Sequence, residues 1–138
     1  MITKILAAYD GSEPAGHAYR FALDLAKHYG AELLVLAVAR PPEPPEDVET
    51  EAILENAEAH YKELFDTLKG EAANQGLKPR FEVVAGHPAN QIVYRAEQDR
   101  VDLIVVGHRG KGFFERLLVG SVSKQVVTHA HCPVLVVR

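Results

Sequence analysis

The segment from residue 107 to residue 124, GHRGKGFFERLLVGSVSK, contains the residue types best suited to chemistry. Three of its four glycines, Gly107, Gly110 and Gly120, are spaced as G-x-x-G-x(9)-G, and Ser121 follows the last of them. A glycine-rich loop between a strand and a helix can hold phosphate, because glycine lets the backbone approach an anion and a helix start presents free N–H groups. The segment also has a local charge of +3, whereas the whole chain has a net charge of −4. The cations are Arg109, Lys111, Arg116 and Lys124, and the carboxylate is Glu115. These residues predict an anion-binding site.

The first half of the chain predicts two strands and two helices. Residues 4–9 form a short apolar run that predicts strand 1, with Asp10 at its carboxyl end. Ser12 as N-cap, Pro14 in the first turn and Gly30 as C-cap delimit helix 1. Its apolar residues recur at three- and four-residue spacing, at Ala18, Phe21, Ala22, Leu25, Ala26 and Tyr29. Residues 33–38 are nearly all apolar and predict a strand 2 that is covered on both faces.

The middle of the chain predicts a loop and a long helix. Residues 40–47, RPPEPPED, carry four of the eight prolines and predict a surface loop. Helix 2 is expected from about residue 48 to residue 75, half solvated and closed by Gly76. Its apolar positions are Leu54, Ala57, Tyr61, Leu64, Phe65, Leu68 and Ala72.

The second half repeats the alternation of strand and helix. Residues 80–85, 101–106 and 133–137 predict strands 3, 4 and 5. Helix 3 follows the turn Gly86-His87-Pro88, and helix 4 is expected over residues 121–129. The inward positions are expected to be Ile92, Val93 and Ala96 in helix 3, and Val122, Val126 and Val127 in helix 4.

This alternation predicts an α/β fold, a single open five-stranded parallel sheet with helices on both faces and right-handed crossovers. In such sheets a ligand lies outside the carboxyl ends of the strands, where the strand order reverses. An order of 3-2-1-4-5 would place that reversal between strands 1 and 4, so that Asp10 and Gly107 face each other across a crevice. Periodicity alone does not give the order.

Length and composition narrow the class of protein. At 138 residues we expect one domain, spanning residues 1–138. The lone Cys132 excludes a disulfide framework, and the opening apolar run is too short for a secretory signal or a membrane span, so we expect a soluble, cytoplasmic protein. The mild negative charge argues against broad nucleic-acid binding. His129, His131 and Cys132 lack the second ligand pair that a structural zinc needs, so no metal ligand is assigned.

The chain resembles the universal stress protein family along its whole length, in the branch whose members bind ATP. The resemblance rests on Asp10-Gly-Ser, on V-x-G-x-P at residues 84–88, on the long glycine pattern and on the ending Cys-Pro-Val-Leu-Val-Val. It implies the strand order 3-2-1-4-5 and a Rossmann-like fold of the adenine nucleotide alpha hydrolase type.

The resemblance also implies a site for ATP, with magnesium or manganese. Asp10 would take the ribose hydroxyls or help to order the metal, Val38 and its neighbours at the end of strand 2 would line the adenine pocket, and Gly107 would lie under the ribose. The phosphates would be surrounded, mostly through backbone N–H groups, by Gly110, Gly120, Ser121, Val122 and Ser123, with the Ser121 and Ser123 hydroxyls adding donors. Arg109 and Lys111 could add phosphate contacts or belong to a solvated loop.

Several alternatives stay open. Asp10 could simply cap helix 1, and the glycines could be ordinary turn residues. Neither a Walker-type loop nor a dinucleotide fingerprint is present, and no catalytic residue is assigned, so any hydrolysis should be slow. The function is then an ATP-binding regulatory or stress-response protein, a slow ATP hydrolase or phosphotransferase, or a nucleotide-free dimeric scaffold. AMP is not distinguished from ATP.

Strand 5 predicts self-association. It would be an edge strand with an apolar run, and such edges normally pair or are protected. We therefore expect a homodimer through Val134 to Val137, in addition to a protein partner that the sequence does not identify.

Overall fold

A computed structural model describes residues 1–41, 50–108 and 121–138 of the chain. The strands are β1 (Lys4–Ala8), β2 (Glu32–Ala39), β3 (Arg80–Ala85), β4 (Leu103–Gly107) and β5 (Val134–Val137). The helices are α1 (Glu13–Tyr29), α2 (Thr50–Ala73), α3 (Pro88–Gln98) and α4 (Ser121–His129). Most of the proline-rich loop predicted at 40–47 lies outside the described residues.

The five strands form one parallel sheet in the order β3-β2-β1-β4-β5. This is the order that the family resemblance implied, and it places the reversal between β1 and β4. Ala7 of β1 pairs with Val35 of β2 on one side and with Val105 of β4 on the other. The carboxyl ends of these three strands therefore meet at one edge of the sheet.

Local chemistry sets the ends of α1. The Ser12 side chain accepts a hydrogen bond from the Ala15 N–H at 3.2 Å, which satisfies one of the donors left open at the helix start. Gly30 ends the helix in the left-handed conformation, with φ of +64°, and its N–H bonds to the carbonyl oxygen of Ala26. Both caps confirm the prediction. Because α1 begins shortly after β1 ends, its start lies at the carboxyl edge of the sheet.

Helices cover both faces of the sheet. On one face α1 and α2 pack against β-strand residues such as Ile5, Ala7 and Val35. On the other face α3 and α4 pack against Leu6 and its neighbours through Ile92, Ala96 and Val126, among others. Successive residues of β1 thus enter opposite halves of the core, because side chains alternate along a strand.

Two helices present faces that differ from the apolar patterns in the sequence. In α1 the residues Tyr19 and Leu23 are buried, whereas Phe21 and Tyr29 are 52% and 49% exposed. The reason is that α2 covers only one flank of α1: the Tyr19 hydroxyl donates to the carbonyl oxygen of Leu68 in α2 at 2.6 Å.

In α4 the inward prediction is wrong for Val127, which is 51% exposed, while Val126 is fully buried and Val122 half-buried. In α3, Val93 is half-buried, and Ala89 joins Ile92 and Ala96 inside.

Four strands have ends that differ from the predicted ones. β2 is one residue longer at each end, and β5 begins one residue later, at Val134. β1 ends one residue early at Ala8. Val101 precedes β4 instead of opening it, because its N–H bonds to the Ala96 carbonyl oxygen at 2.8 Å and so completes the turn after α3. Gly107 instead belongs to β4 and pairs with Val137 of β5.

Among the helices in the described ranges, none has a stretch that is both long and apolar enough to cross a bilayer.

Candidate functional site

A cavity of about 120 Å³ opens at the carboxyl edge of the sheet. We call it the switch-point cavity, because its described walls come from the last residues of β1, β2 and β4 and from the starts of α1, α3 and α4. This is the place where parallel α/β sheets bind ligands. The fold therefore puts a cavity at the position that the sequence predicted.

Five of the predicted site residues line the switch-point cavity, namely Asp10, Val38, Gly107, Val122 and Ser123. They come from four separate stretches of the chain, so only the folded protein brings them together. Asp10 and Gly107 contribute to the same cavity, in agreement with the expectation that they face one crevice. Their contact with a ligand stays a prediction.

The remaining predicted site residues are not part of the described lining. Ser121 is the exposed first residue of α4 and does not line the cavity. Arg109, Gly110 and Gly120, and with them Lys111, lie outside the described residues.

The carboxylate of Asp10 is held at the mouth of the cavity by a local turn. Its Oδ1 accepts a hydrogen bond from the Ser12 N–H at 2.9 Å. Between them, Gly11 has φ of +84°, a conformation that favours glycine. Because Ser12 rather than Asp10 caps α1, the helix-cap alternative for Asp10 does not hold. Asp10 is the only charged residue among the described lining residues.

Gly107 has a structural reason to be glycine. A Cβ built on Gly107 would lie 2.8 Å from both the carbonyl carbon and the carbonyl oxygen of Pro14, and 3.0 Å from the Pro14 Cβ. Real Cβ atoms do not come this close to backbone, so the start of α1 can sit against the end of β4 only if residue 107 lacks a side chain. Its φ does not lie in the positive region, so close approach alone accounts for this glycine.

Ser123 ties the start of α4 to the end of β4. Its side chain is buried, with 5% exposure, and its hydroxyl donates a hydrogen bond to the Gly107 carbonyl oxygen. The hydroxyl proton is thus already engaged within the protein. The N–H groups of residues 121–123, at the start of α4, have no acceptor inside the helix. The prediction that the Ser123 hydroxyl adds a donor for the phosphates is therefore wrong, and any anion contact at this point would use the backbone.

Two tyrosines stand beside the site on the α2 side of the sheet. The Tyr9 ring lies 6.4 Å from the Tyr61 ring and 6.2 Å from the Phe65 ring, measured between centroids. Burial, and then the charge of Asp10, raise the pKa of Tyr9. The same causes raise the pKa of Tyr61 to about 12. Both hydroxyls stay protonated at neutral pH and can donate hydrogen bonds, but they cannot act as bases.

Other parts of the wall were not predicted as site residues. Ala15 of α1, Leu36 of β2, and Pro88 and Ile92 of α3 also line the cavity. Leu36 could have been found from Val38, because residues two apart in a strand point to the same face. Pro88 could have been found because the turn after β3 also leaves the carboxyl edge of the sheet. The contribution of Ala15 depends on the tilt of α1, which leaves no signal in the sequence.

Comparison with known proteins identifies the family. The model of the universal stress protein family matches residues 1–138. This chain belongs to the universal stress protein family. It is 39% identical over 140 residues to a universal stress protein of Thermus aquaticus, with 100% of both chains covered. It is 38% identical over 138 residues to one from Methanocaldococcus jannaschii, covering 98% of this chain and 81% of that protein.

Solved structures of universal stress proteins share the fold. UspA from Lactobacillus plantarum superposes with a TM-score of 0.89 at 31% identity, covering 99% of this chain and 97% of that chain. A universal stress protein in complex with cAMP has a TM-score of 0.76 at 24% identity, covering 99% and 97%. The protein from Archaeoglobus fulgidus in complex with dAMP has a TM-score of 0.71 at 22% identity, covering 100% and 98%. Because these last two structures are less than 25% identical to this chain, their similarity shows a shared fold and nothing more.

Proposed function

We propose that this universal stress protein binds an adenine nucleotide, ATP first of all, in the switch-point cavity and acts as a nucleotide-dependent regulatory module of the stress response. One observation carries the proposal: a cavity with apolar walls and a single carboxylate lies where the strand order reverses, next to the start of α4. Structures of the same fold in complex with cAMP and dAMP support the choice of ligand class. The proposed setting is the cytoplasm, where the Cys132 thiol stays reduced.

The walls fit the parts of a nucleotide separately. Leu36, Val38 and Ile92 offer apolar surface to a flat base. The cavity of about 120 Å³ is smaller than the roughly 300–1,000 Å³ of pockets that enclose a drug-sized ligand, so it would take the base while the sugar and phosphates extend along the crevice. Asp10 stands where it can accept hydrogen bonds from ribose hydroxyls. The phosphates would then lie toward the first turn of α4 and the glycines predicted from the sequence.

A metal ion would bind to this site only together with the phosphates of the nucleotide. Magnesium in nucleotide sites is usually held by one or two carboxylates together with phosphate oxygens and water. In the described lining only Asp10 supplies a carboxylate. Magnesium or manganese would therefore enter with the phosphates of ATP, with Asp10 as the protein's contribution.

The described site favours binding over fast hydrolysis. A water molecule that attacks phosphate needs a group that can accept its proton or orient it. Within the described lining, Asp10 supplies the only carboxylate, and the raised pKa of Tyr9 keeps its hydroxyl from acting as a base. A slow hydrolase or phosphotransferase would have to use this one carboxylate.

The proposal includes a homodimer through β5. This strand lies at the edge of the sheet, and its Val134, Leu135 and Val136 are only half-buried in the monomer. Antiparallel pairing of two β5 strands about a two-fold axis would cover this edge. Light scattering that finds a monomer at micromolar concentration would contradict the dimer while leaving nucleotide binding intact.

The test is calorimetric titration with ATP, with and without magnesium, of the parent protein and two variants. Asp10→Asn keeps an oxygen for the Ser12 N–H but removes the charge, so it should preserve the turn and weaken ATP binding at least tenfold, since a hydrogen bond to a charged group contributes about 1.5–3 kcal/mol. Asp24→Asn makes the same change at an exposed position of α1 and should bind as the parent does.

Three outcomes would change the proposal. If the parent binds neither ATP nor AMP, the nucleotide site does not exist. If both variants bind as tightly as the parent, Asp10 has no part in it. Sustained ADP release that Asp10→Asn abolishes would favour the slow hydrolase instead.

A further inference from the structure

A second concave surface lies at the opposite edge of the sheet from β5, between β3 and α2. Its floor is apolar and consists of Phe65, Phe81 and Val83, and it encloses about 690 Å³ of open space. Its rim carries the charged side chains Glu55, Glu58, Lys62, Asp66 and Lys69 of α2. We call this surface, with these eight residues, the β3 groove.

Among the residues that the structure describes, the edge strand of the groove has backbone groups without a strand partner. The Gly86 N–H donates to the Ala39 carbonyl oxygen of β2 at 2.9 Å. Because N–H groups point to alternate sides along a strand, the N–H and C=O groups of Phe81, Val83 and Ala85 point away from the sheet. β3 contains no proline, and its pairing with β2 runs without interruption from Arg80 to Ala85. It is therefore a regular six-residue edge that can accept another strand.

The floor of the groove is rigid and apolar. The rings of Phe65 and Phe81 lie 5.1 Å apart between centroids, and Phe65 is buried. The ammonium group of Lys69 lies 5.5 Å from the centroid of the Phe81 ring, so this cation is engaged with the floor. An apolar side chain laid on Phe81 and Val83 would find a surface that is already formed.

The charge of the rim is negative. Glu55, Glu58 and Asp66 make no ion pair or side-chain hydrogen bond with any described residue. Glu82 borders the groove, but its charge is paired with Arg95 and Arg80 and is not counted here. Among the eight residues of the β3 groove, three carboxylates against two lysines leave a net charge of −1. The unpaired carboxylates attract a cationic partner.

We propose that the β3 groove binds an extended, basic segment of a partner protein, which adds a strand to the sheet at β3. Main-chain hydrogen bonds to Phe81, Val83 and Ala85 would supply affinity, and side chains on alternate positions would supply specificity. On the side of the segment that faces α2, apolar side chains lie on the floor and lysine or arginine side chains reach the carboxylates of the rim. The proposal is independent of the nucleotide site.

A second copy of the chain fits the groove less well. Symmetric antiparallel pairing of two β3 strands would bring two α2 helices side by side, each with its own Glu55, Glu58 and Asp66. Like charges would then meet across the pair, which is one way that proteins protect edge strands from self-association. A dimer through β5 would also leave the groove open, because β5 lies at the other edge of the sheet.

The test uses a fluorescein-labelled eight-residue peptide. In its extended form, lysine and valine alternate along one face of the strand, and threonine occupies every position of the opposite face. A peptide with glutamate in place of lysine is the control ligand. Fluorescence anisotropy of the full chain should show binding of the lysine peptide alone. The double variant Glu58→Lys with Asp66→Lys should weaken that binding about tenfold, because it reverses two rim charges. Glu63→Lys makes the same kind of change on an exposed part of α2 outside the groove and should have little effect.

Hydrogen exchange decides whether the peptide pairs as a strand. The amides of Phe81, Val83 and Ala85 should exchange more slowly when the lysine peptide is bound. The proposal is overturned if the peptide does not bind at millimolar concentration, if Glu63→Lys weakens binding as much as the double variant does, or if the protection falls elsewhere. It is also overturned if the chain self-associates through β3 without peptide, because the groove would then belong to a second copy.

Discussion

Replacing Gly107 with alanine tests why this residue is glycine. The family resemblance places Gly107 under the ribose of a nucleotide, whereas the structure shows that a Cβ there would lie 2.8 Å from the Pro14 backbone. The two explanations differ in what the substitution changes. If packing requires glycine, Gly107→Ala destabilises the protein even without ligand. If only the ligand requires it, stability is unchanged and nucleotide binding is lost.

The size of the packing effect can be estimated from the contact. One added methyl group in a well-packed site costs about 1–3 kcal/mol, because the backbone of Pro14 cannot rotate away as a side chain would. For a chain of this length each kcal/mol lowers the melting temperature by roughly 3–4 °C. Gly107→Ala should therefore melt about 3–12 °C below the parent protein.

Gly70→Ala is the matched control. Gly70 lies inside α2, is exposed, and a Cβ built on it meets nothing within 4 Å. The same added methyl group should stabilise the helix by about 0.5–1 kcal/mol. Thermal and urea unfolding, followed by circular dichroism, should give shifts of opposite sign for the two variants. If Gly107→Ala unfolds like the parent but no longer binds ATP, the packing explanation is refuted.

Two further predictions concern hydrogen bonds that hold strand ends. Ser123→Ala leaves the Gly107 carbonyl oxygen without its buried donor and should lower the free energy of unfolding by about 1–3 kcal/mol in urea denaturation. The control Thr128→Ala removes an exposed hydroxyl-to-carbonyl hydrogen bond and should change the free energy of unfolding little. If both variants lose the same free energy of unfolding, this reasoning is contradicted. Hydrogen bonds from the Thr3 amide and hydroxyl, and then from the Lys4 amide, lower the pKa of Asp102. Its stabilising effect is therefore present above the unfolded-state pKa of about 3.9 and lost as the pH falls through the lower folded-state pKa. The melting-temperature deficit of Asp102→Asn should narrow below about pH 4, and a deficit that is constant from pH 3 to pH 7 would rule the mechanism out.

The contacts of Gly107 explain how the site is assembled. Pro14 packs against its Cα, and the Ser123 hydroxyl bonds to its carbonyl oxygen. The end of β4 thus fixes the starts of α1 and α4 with respect to each other. Because both helices line the switch-point cavity, its width depends on these two contacts. A ligand that spans the cavity would meet walls that are already in place, which reduces the ordering cost of binding.

Local signals in the sequence were sufficient for the elements and for the edge of the sheet that holds the site. Capping by Ser12 and Gly30 and the buried run of β2 depend on neighbours in sequence, so they could be predicted before folding was considered. Asp10 and Gly107 were also found in this way, since each follows or ends an apolar run that predicts a strand. Val38 was assigned to the site only through the family resemblance.

Only the tertiary structure decided how these elements meet. Periodicity allows either flank of α1 to be buried. The position of α2 decides that the flank with Tyr19 is buried and that Phe21 is exposed. The requirement for glycine at residue 107 comes from Pro14, which is distant in sequence, and the wall formed by Pro88 and Ile92 exists because α3 packs beside β4. These features depend on contacts between segments that are far apart in the chain. Spacing within a single segment carries no information about such contacts, and for that reason the sequence predicted the place of the site but not the packing that shapes it.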